Sequence, residues 1–216
     1  MRNQYIKQLS DLNIKLLKMG AMVQEIIEVS ITALTTQDLA LANKVYLMDD
    51  EIDNIELEIE MSCMNLIALQ QPMAKDLRVI GTILKIITDL ERMGDHAVNI
   101  AKVTLEIGEE PFVKPLIDIP KMAKLAQTMV KKSLDAFMKT DVALATEVAH
   151  DDEAVDELYE KIYTELINKM IEENTIVKQA TNLIFIGRYL ERIADHATNI
   201  GERVIFIATG ENVEIN

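Results

Sequence analysis

The chain has 216 residues, 49% of them hydrophobic and 27% charged, with seven Gly, four Pro and a single cysteine, and its formal charge is -14. That length and composition suit a helical protein with one medium domain or two small ones, each able to bury a core. The excess of acid excludes a phosphate-backbone binder, which needs a basic stripe, and favours cations as ligands.

The lone Cys63 excludes an intrachain disulfide framework and points to a reducing compartment. The amino terminus, MRNQYIKQLSDLN, has no apolar signal core, and no apolar run approaches the ~18 residues of a spanning helix. The expected location is therefore cytoplasmic.

Ile6, Leu9, Leu16, Met19, Val23 and Ile26 recur at threes and fours, which predicts one long amphipathic first helix reaching Leu34, slightly weakened by Gly20. Asp38 starts a second helix whose stripe runs through Leu41, Val45, Met48, Ile52, Ile55, Ile59, Leu66 and Leu69 and ends near Gln70, Gln71 and Pro72. Pro72 fits a helix boundary, the turn of the hairpin, and the first turn of a third helix, which carries Val79, Ile83, Ile86, Leu90, Met93, Ala97, Ile100 and Val103 or Thr104.

The stretch from Gly108 to Pro115 holds two prolines and a glycine, so the domain boundary is placed there: residues 1–110 form one unit and 111–216 another. Three helices then recur, roughly Ile119 to Lys139, Asp141 to Ile171 and Thr175 to Thr209, and no segment shows strand alternation. The expected fold is all-α, two tandem antiparallel three-helix bundles.

The recurrence is visible in the residues. LERMGDHAVNIA from Leu90 and LERIADHATNIG from Leu190 share eight of twelve positions, including Glu91/Glu191, Asp95/Asp195, His96/His196 and Asn99/Asn199. DLALA from Asp38 matches DVALA from Asp141, and Asp49 and Asp53 match Asp152 and Asp156.

Carboxylates at i and i+4 lie on one helix face and repel by a few tenths of a kcal/mol. In an antiparallel hairpin, residues equidistant from the turn share a height. Asp53 with Glu91, and Asp49 with Asp95, are both centred on residue 72, while Asp156 with Glu191 and Asp152 with Asp195 are both centred between Glu173 and Asn174. Each hairpin therefore brings four acids to one level, beside its apolar stripe. With helix axes ~8 to 10 Å apart, such a group calls for a bound cation or for raised carboxyl pKa values. Oxygen-only ligands suit Mg²⁺, Mn²⁺, Ca²⁺ or Fe³⁺.

Glu56 and Glu60 continue the same flank but become Tyr159 and Tyr163 in the second copy and face no acid across the hairpin, so ordinary solvation is expected for them. Asn99 and Asn199 extend the acidic line by a turn and are candidate carbonyl-oxygen ligands. His96 and His196 lie far around the helix and are expected to pack against another helix. Arg92 and Arg192 are candidates for pairing with the acids or for a partner surface. A carboxylate-bridged metal oxidase is disfavoured, since those bundles use Glu-x-x-His, and the i+3 position after Glu91 and Glu191 is Gly94 or Ala194. A metal-free scaffold whose acidic grooves take a basic partner is the other alternative.

Together QPMAKDLR (71–78), DLERMGDHAVNIA (89–101) and YLERIADHATNIG (189–201) make the chain similar to the PhoU family of phosphate-signalling regulators over nearly its whole length. The second hairpin departs from the pattern, with ENTIVKQ (173–179) where QPMAKDLR would recur. The resemblance implies a pseudo-twofold between the bundles and multinuclear metal clusters at the Glu/Asp-x-x-x-Asp pairs, iron foremost, with magnesium, manganese, zinc or calcium as the other ions. It further implies a non-enzymatic negative regulator of the phosphate-starvation response. Such a protein would link the ATPase subunit of the high-affinity phosphate ABC transporter to a sensor histidine kinase, at the membrane only peripherally, as a homodimer.

Overall fold

Two aspartates set the start of the middle helix in each half. Asp38 and Asp141 stand in extended backbone, and their carboxylates accept the N–H of Leu41 at 2.9 Å and of Leu144 at 3.1 Å. Each satisfies one of the donors that a helix start leaves without a partner, worth about 1 kcal/mol.

The computed structural model describes residues 2–211 together with 213 and 215. Its helices are α1 (Arg2–Thr36), α2 (Leu39–Gln70), α3 (Ala74–Ile107), α4 (Asp118–Lys139), α5 (Val142–Glu172) and α6 (Val177–Thr209), with a 3-10 turn at Asn174–Ile176. The fold is all-α, and the described residues contain no strand. The expected helices are all present.

Pro72 lies in the turn of the hairpin, as expected from its central position, but outside the first turn of α3. Gln71 closes α2 in the left-handed region (φ 45°), its N–H bonding Ile67 O, and α3 begins only at Ala74. Pro72 therefore lies in the turn, where its fixed φ and missing N–H help stop α2 rather than start α3. The second hairpin has no proline there and makes its turn through the 3-10 segment.

Helices α1, α2 and α3 pack on one another, as do α4, α5 and α6, and the two triples meet through α3 against α6 and α1 against α4. Leu16, Met19, Val23 and Ile26 of α1, Ile52 and Ile59 of α2, and Ile83, Ile86, Leu90 and Met93 of α3 are fully buried. Burying each such side chain contributes roughly 1.5–3 kcal/mol. Buried apolar residues of all six helices form one contiguous cluster. Where α1 crosses α4, a Cβ on Gly20 would stand 2.1 Å from Leu134 Cδ1, so this glycine, unfavourable within a helix, permits close packing of the two halves.

The seam between α3 and α6 is polar at its centre. Asp89, only 5% exposed, accepts from Arg203 Nε at 3.0 Å, pairs with Arg203 Nη2 at 2.9 Å and lies 3.1 Å from His196 Nδ1. Across the pseudo-twofold its counterpart is Tyr189, whose ring stacks on His96 at 5.9 Å, and the two histidine rings are 5.8 Å apart. Both histidines thus pack between helices, as expected.

The connection between α3 and α4 is strapped down by two glutamines. Gln37 Nε2 donates to Gly108 O and Glu110 O, while Gln179 accepts from Val113 N and donates to Pro111 O.

Candidate metal centre on the two acidic rims

The repeat extends to burial. Residues 91–100 and 191–200 show the same sequence of buried, half-buried and exposed positions: Glu91, Asp95 and Asn99 are half-buried, as are Glu191, Asp195 and Asn199. Asp49 is half-buried, Asp53 and Asp156 are exposed at the edge, and Asp152 is buried at 4% exposure. Each hairpin thus carries its acids from partial burial out to solvent.

The first rim brings its four acids into one another's field. Burial, then Asp53, Asp95, Glu91 and Asp50, raise the Asp49 carboxyl to about 6. Burial followed by Asp95 and Asp50 also raises Asp53, and burial followed by Asp95 raises Glu91 against the opposing pull of Arg92. Like charges crowd a partly dehydrated site, so its protons are held more tightly than usual. The Asp49 carboxylate points at Gly94, where a Cβ would lie 2.9 Å from Oδ1. The glycine of DLERMGD therefore leaves room for the carboxylate of the facing helix.

On the second rim, Asp156 is raised by burial and Asp195, while Glu191 is raised by burial and opposed chiefly by Arg188. That arginine was not among the residues singled out from the sequence. Its Nη1 donates to Glu191, and its guanidinium lies 5.9 Å from the centre of the Tyr159 ring. Its three-residue spacing from Glu191 was the available signal, the same spacing as Arg92 from Asp95.

Arg92 reaches Glu91 at 3.3 Å and donates to Asp95 at 2.8 Å, and Arg192 donates to Asp195 at 3.0 Å. Both arginines pair with rim acids. Asn99 accepts weakly from Lys102 at 3.4 Å.

Glu56 corrects the sequence reading. Burial, Glu60 and Asp53 raise it while Arg92 opposes, and it in turn raises Glu91. Half-buried and within the field of Asp53, Glu91 and Arg92, it belongs to the margin of the first rim rather than to open solvent. The copies are therefore unequal: the first gains an acid at Glu56, and the second places Tyr159 there and adds Arg188.

No three Asp, Glu, His or Cys side chains among the described residues are already gathered tightly enough to grip one ion. A cation held here would need these side chains to move toward it. Cys63 contributes nothing here, being fully buried, with burial pushing its thiol up to about 12. His96 is driven down to about 4, chiefly by burial and then by His196, so it is neutral at pH 7.

A similar architecture and sequence occur in other proteins. The PhoU domain profile matches residues 16–104 and again 119–204. A phosphate-specific transport system accessory protein PhoU homolog of Clostridium acetobutylicum is 41% identical over 216 residues, covering 100% of this chain and 99% of its own. One from Aquifex aeolicus is 42% identical over 208 residues, covering 96% and 94%. The crystal structure of PhoU from Pseudomonas aeruginosa superimposes with a TM-score of 0.91 at 36% identity, over 96% of this chain and 100% of that one. The phosphate transport system regulatory protein PhoU from Streptococcus pneumoniae gives a TM-score of 0.90 at 32% identity, over 97% and 99%. With its profile found twice and its fold shared from end to end, the chain belongs to the PhoU family.

Proposed function

We propose that this protein is a regulatory accessory of phosphate transport, acting through protein contacts rather than catalysis. The observation that carries this reading is the end-to-end match to proteins named as phosphate transport accessory and regulatory proteins. In the finer form proposed, it restrains the phosphate-starvation response by linking the transporter's ATPase subunit to a sensor histidine kinase, working as a homodimer in the cytoplasm. No described helix is long and apolar enough to cross a membrane.

The acidic rims are proposed to hold hard cations, with Fe³⁺ first and Mg²⁺, Mn²⁺, Ca²⁺ or Zn²⁺ as the other ions. The raised Asp49 carboxyl and its cradle at Gly94 support this, since they mark a place where negative charge is crowded and only partly offset by Arg92. Asp49, Asp53, Glu91 and Asp95 would hold one group, and Asp152, Asp156, Glu191 and Asp195 the other, with Asn99 and Asn199 as further oxygen donors. When bound, the ions would supply positive charge that draws the two helices of a hairpin together. Because Glu56 adds charge to the first rim and Arg188 removes it from the second, the first is the tighter site.

Deletion of the gene tests the regulatory role. Phosphate-uptake genes should be expressed at high level in phosphate-rich medium, and expression unchanged from wild type in a strain lacking every paralogue would overturn the reading.

A further inference from the structure

Between the first three turns of α3 and the end of α6 lies a cavity of about 950 Å³. This is at the upper end of the ~300–1,000 Å³ typical of small-molecule sites. Among the described residues its cations are Arg78, Lys85 and Arg203, facing Glu202 as the one lining acid. In a chain of charge -14, such a concentration of positive charge stands apart from its surroundings.

These cations are not equally committed. Arg203 is tied to the buried Asp89, and Glu202 accepts the backbone N–H of Ile215 at 3.1 Å. Arg78 and Lys85 have no carboxylate within ion-pair distance among the described residues. Arg78 instead lies over the Phe206 ring, 5.3 Å from its centre, which fixes the guanidinium at the cavity wall. Leu77 and Phe206 add apolar wall beside the charges.

Two further observations separate this cavity from an accident of packing. A Cβ on Gly81 would meet nothing within 4 Å, so this glycine relieves no clash and instead leaves the cavity open. Nor does duplication produce it. One hundred residues away, Lys85, Arg203 and Phe206 become Phe185, Val103 and Glu106, while Arg78 is matched by Lys178 and Glu202 by Lys102, so the pseudo-symmetric position carries two cations against one acid in place of three against one. QPMAKDLR, which supplies Leu77 and Arg78, likewise occurs only once.

We propose that this cavity binds a phosphate group carried on an apolar or aromatic body, with Arg78 and Lys85 on the phosphate and Leu77 and Phe206 against the body. A nucleotide and an anionic lipid headgroup both present that chemistry. Free inorganic phosphate fills too little of the volume to bind comparably. The site uses none of the rim acids, so its outcome is independent of theirs.

The test is equilibrium dialysis of ADP, with inorganic phosphate in parallel, and flotation with vesicles of phosphatidylglycerol or of phosphatidylcholine. All arms contain excess chelator, so that no metal bridges a phosphate to the rims. The proposal expects saturable binding of ADP, or of phosphatidylglycerol but not phosphatidylcholine vesicles, and the responding arm identifies the source. Arg78→Ala with Lys85→Ala should weaken that binding at least tenfold. Gly81→Leu, whose Cβ meets nothing within 4 Å and whose branched end adds bulk to the cavity without changing charge, should do the same while leaving the helical circular dichroism unchanged. Failure of both arms with the wild-type chain, inorganic phosphate binding as tightly as ADP, or undiminished binding by correctly folded Gly81→Leu would overturn it.

Discussion

Replacing Asp49 with Asn should stabilise the metal-free protein at neutral pH, although the substitution removes a charge that the site is built to hold. Burial and four neighbouring acids lift the Asp49 carboxyl from 3.8 to about 6. At ~1.4 kcal/mol per unit this corresponds to about 3 kcal/mol, and solvent at the rim reduces it to ~1–2 kcal/mol. Because the folded-state value is raised, the native protein holds this proton more tightly than the unfolded chain does. The stability it confers is complete below about pH 3.8 and is lost as pH rises through about 6. Asparagine carries no charge and escapes that loss. In chelator, thermal melts followed by circular dichroism should show no difference at about pH 3.5, and at pH 7.5 the variant should melt ~2–8 °C higher. A gap of equal size at both pH values, or a wild type that melts higher at pH 7.5, would refute the electrostatic account of this rim.

Asp89→Ala should destabilise by ~2–3 kcal/mol in urea unfolding, because it leaves Arg203 without its carboxylate at the α3–α6 seam. Adding Arg203→Leu should recover much of that loss, and a double variant no more stable than the single would contradict the seam's role. Chelation should leave helical circular dichroism intact at room temperature, since the buried stripes run along the helices independently of the rims. Addition of manganese should then raise the melting temperature with the logarithm of its free concentration, and loss of helicity on chelation would mean that ions hold the fold itself.

The helical architecture was legible because periodicity, caps and turns are local. Asp38 and Asp141 announce the middle helices by residue type, and the equidistance of Asp49 and Asp95 from residue 72 places them at one height across the hairpin before any coordinates are known. What escaped depends on contacts distant in sequence or on side-chain reach. Asp89 meets Arg203 across 114 residues, and nothing near either residue signals the other. Gly20 reads locally as a weak point in α1, whereas its value lies in Leu134 of another helix. Glu56 was assigned by backbone height, whereas its field reaches Glu91 of the facing helix, and Arg188 falls outside the motif that drew attention to its neighbours. Pro72 fits either the end of one helix or the start of the next, and only the backbone of Gln71 decides between them.

Metal content per chain tests the claim of two duplicated cation sites most directly. Protein purified without an affinity tag, stripped and reloaded with manganese or ferric iron, should bind ions in two classes by elemental analysis and titration. Glu91→Gln with Asp95→Asn should remove the tighter class, Glu191→Gln with Asp195→Asn the weaker, and all four substitutions together should remove both. Metal content in the fourfold variant equal to that of the wild type would show that the acidic rims are not the sites.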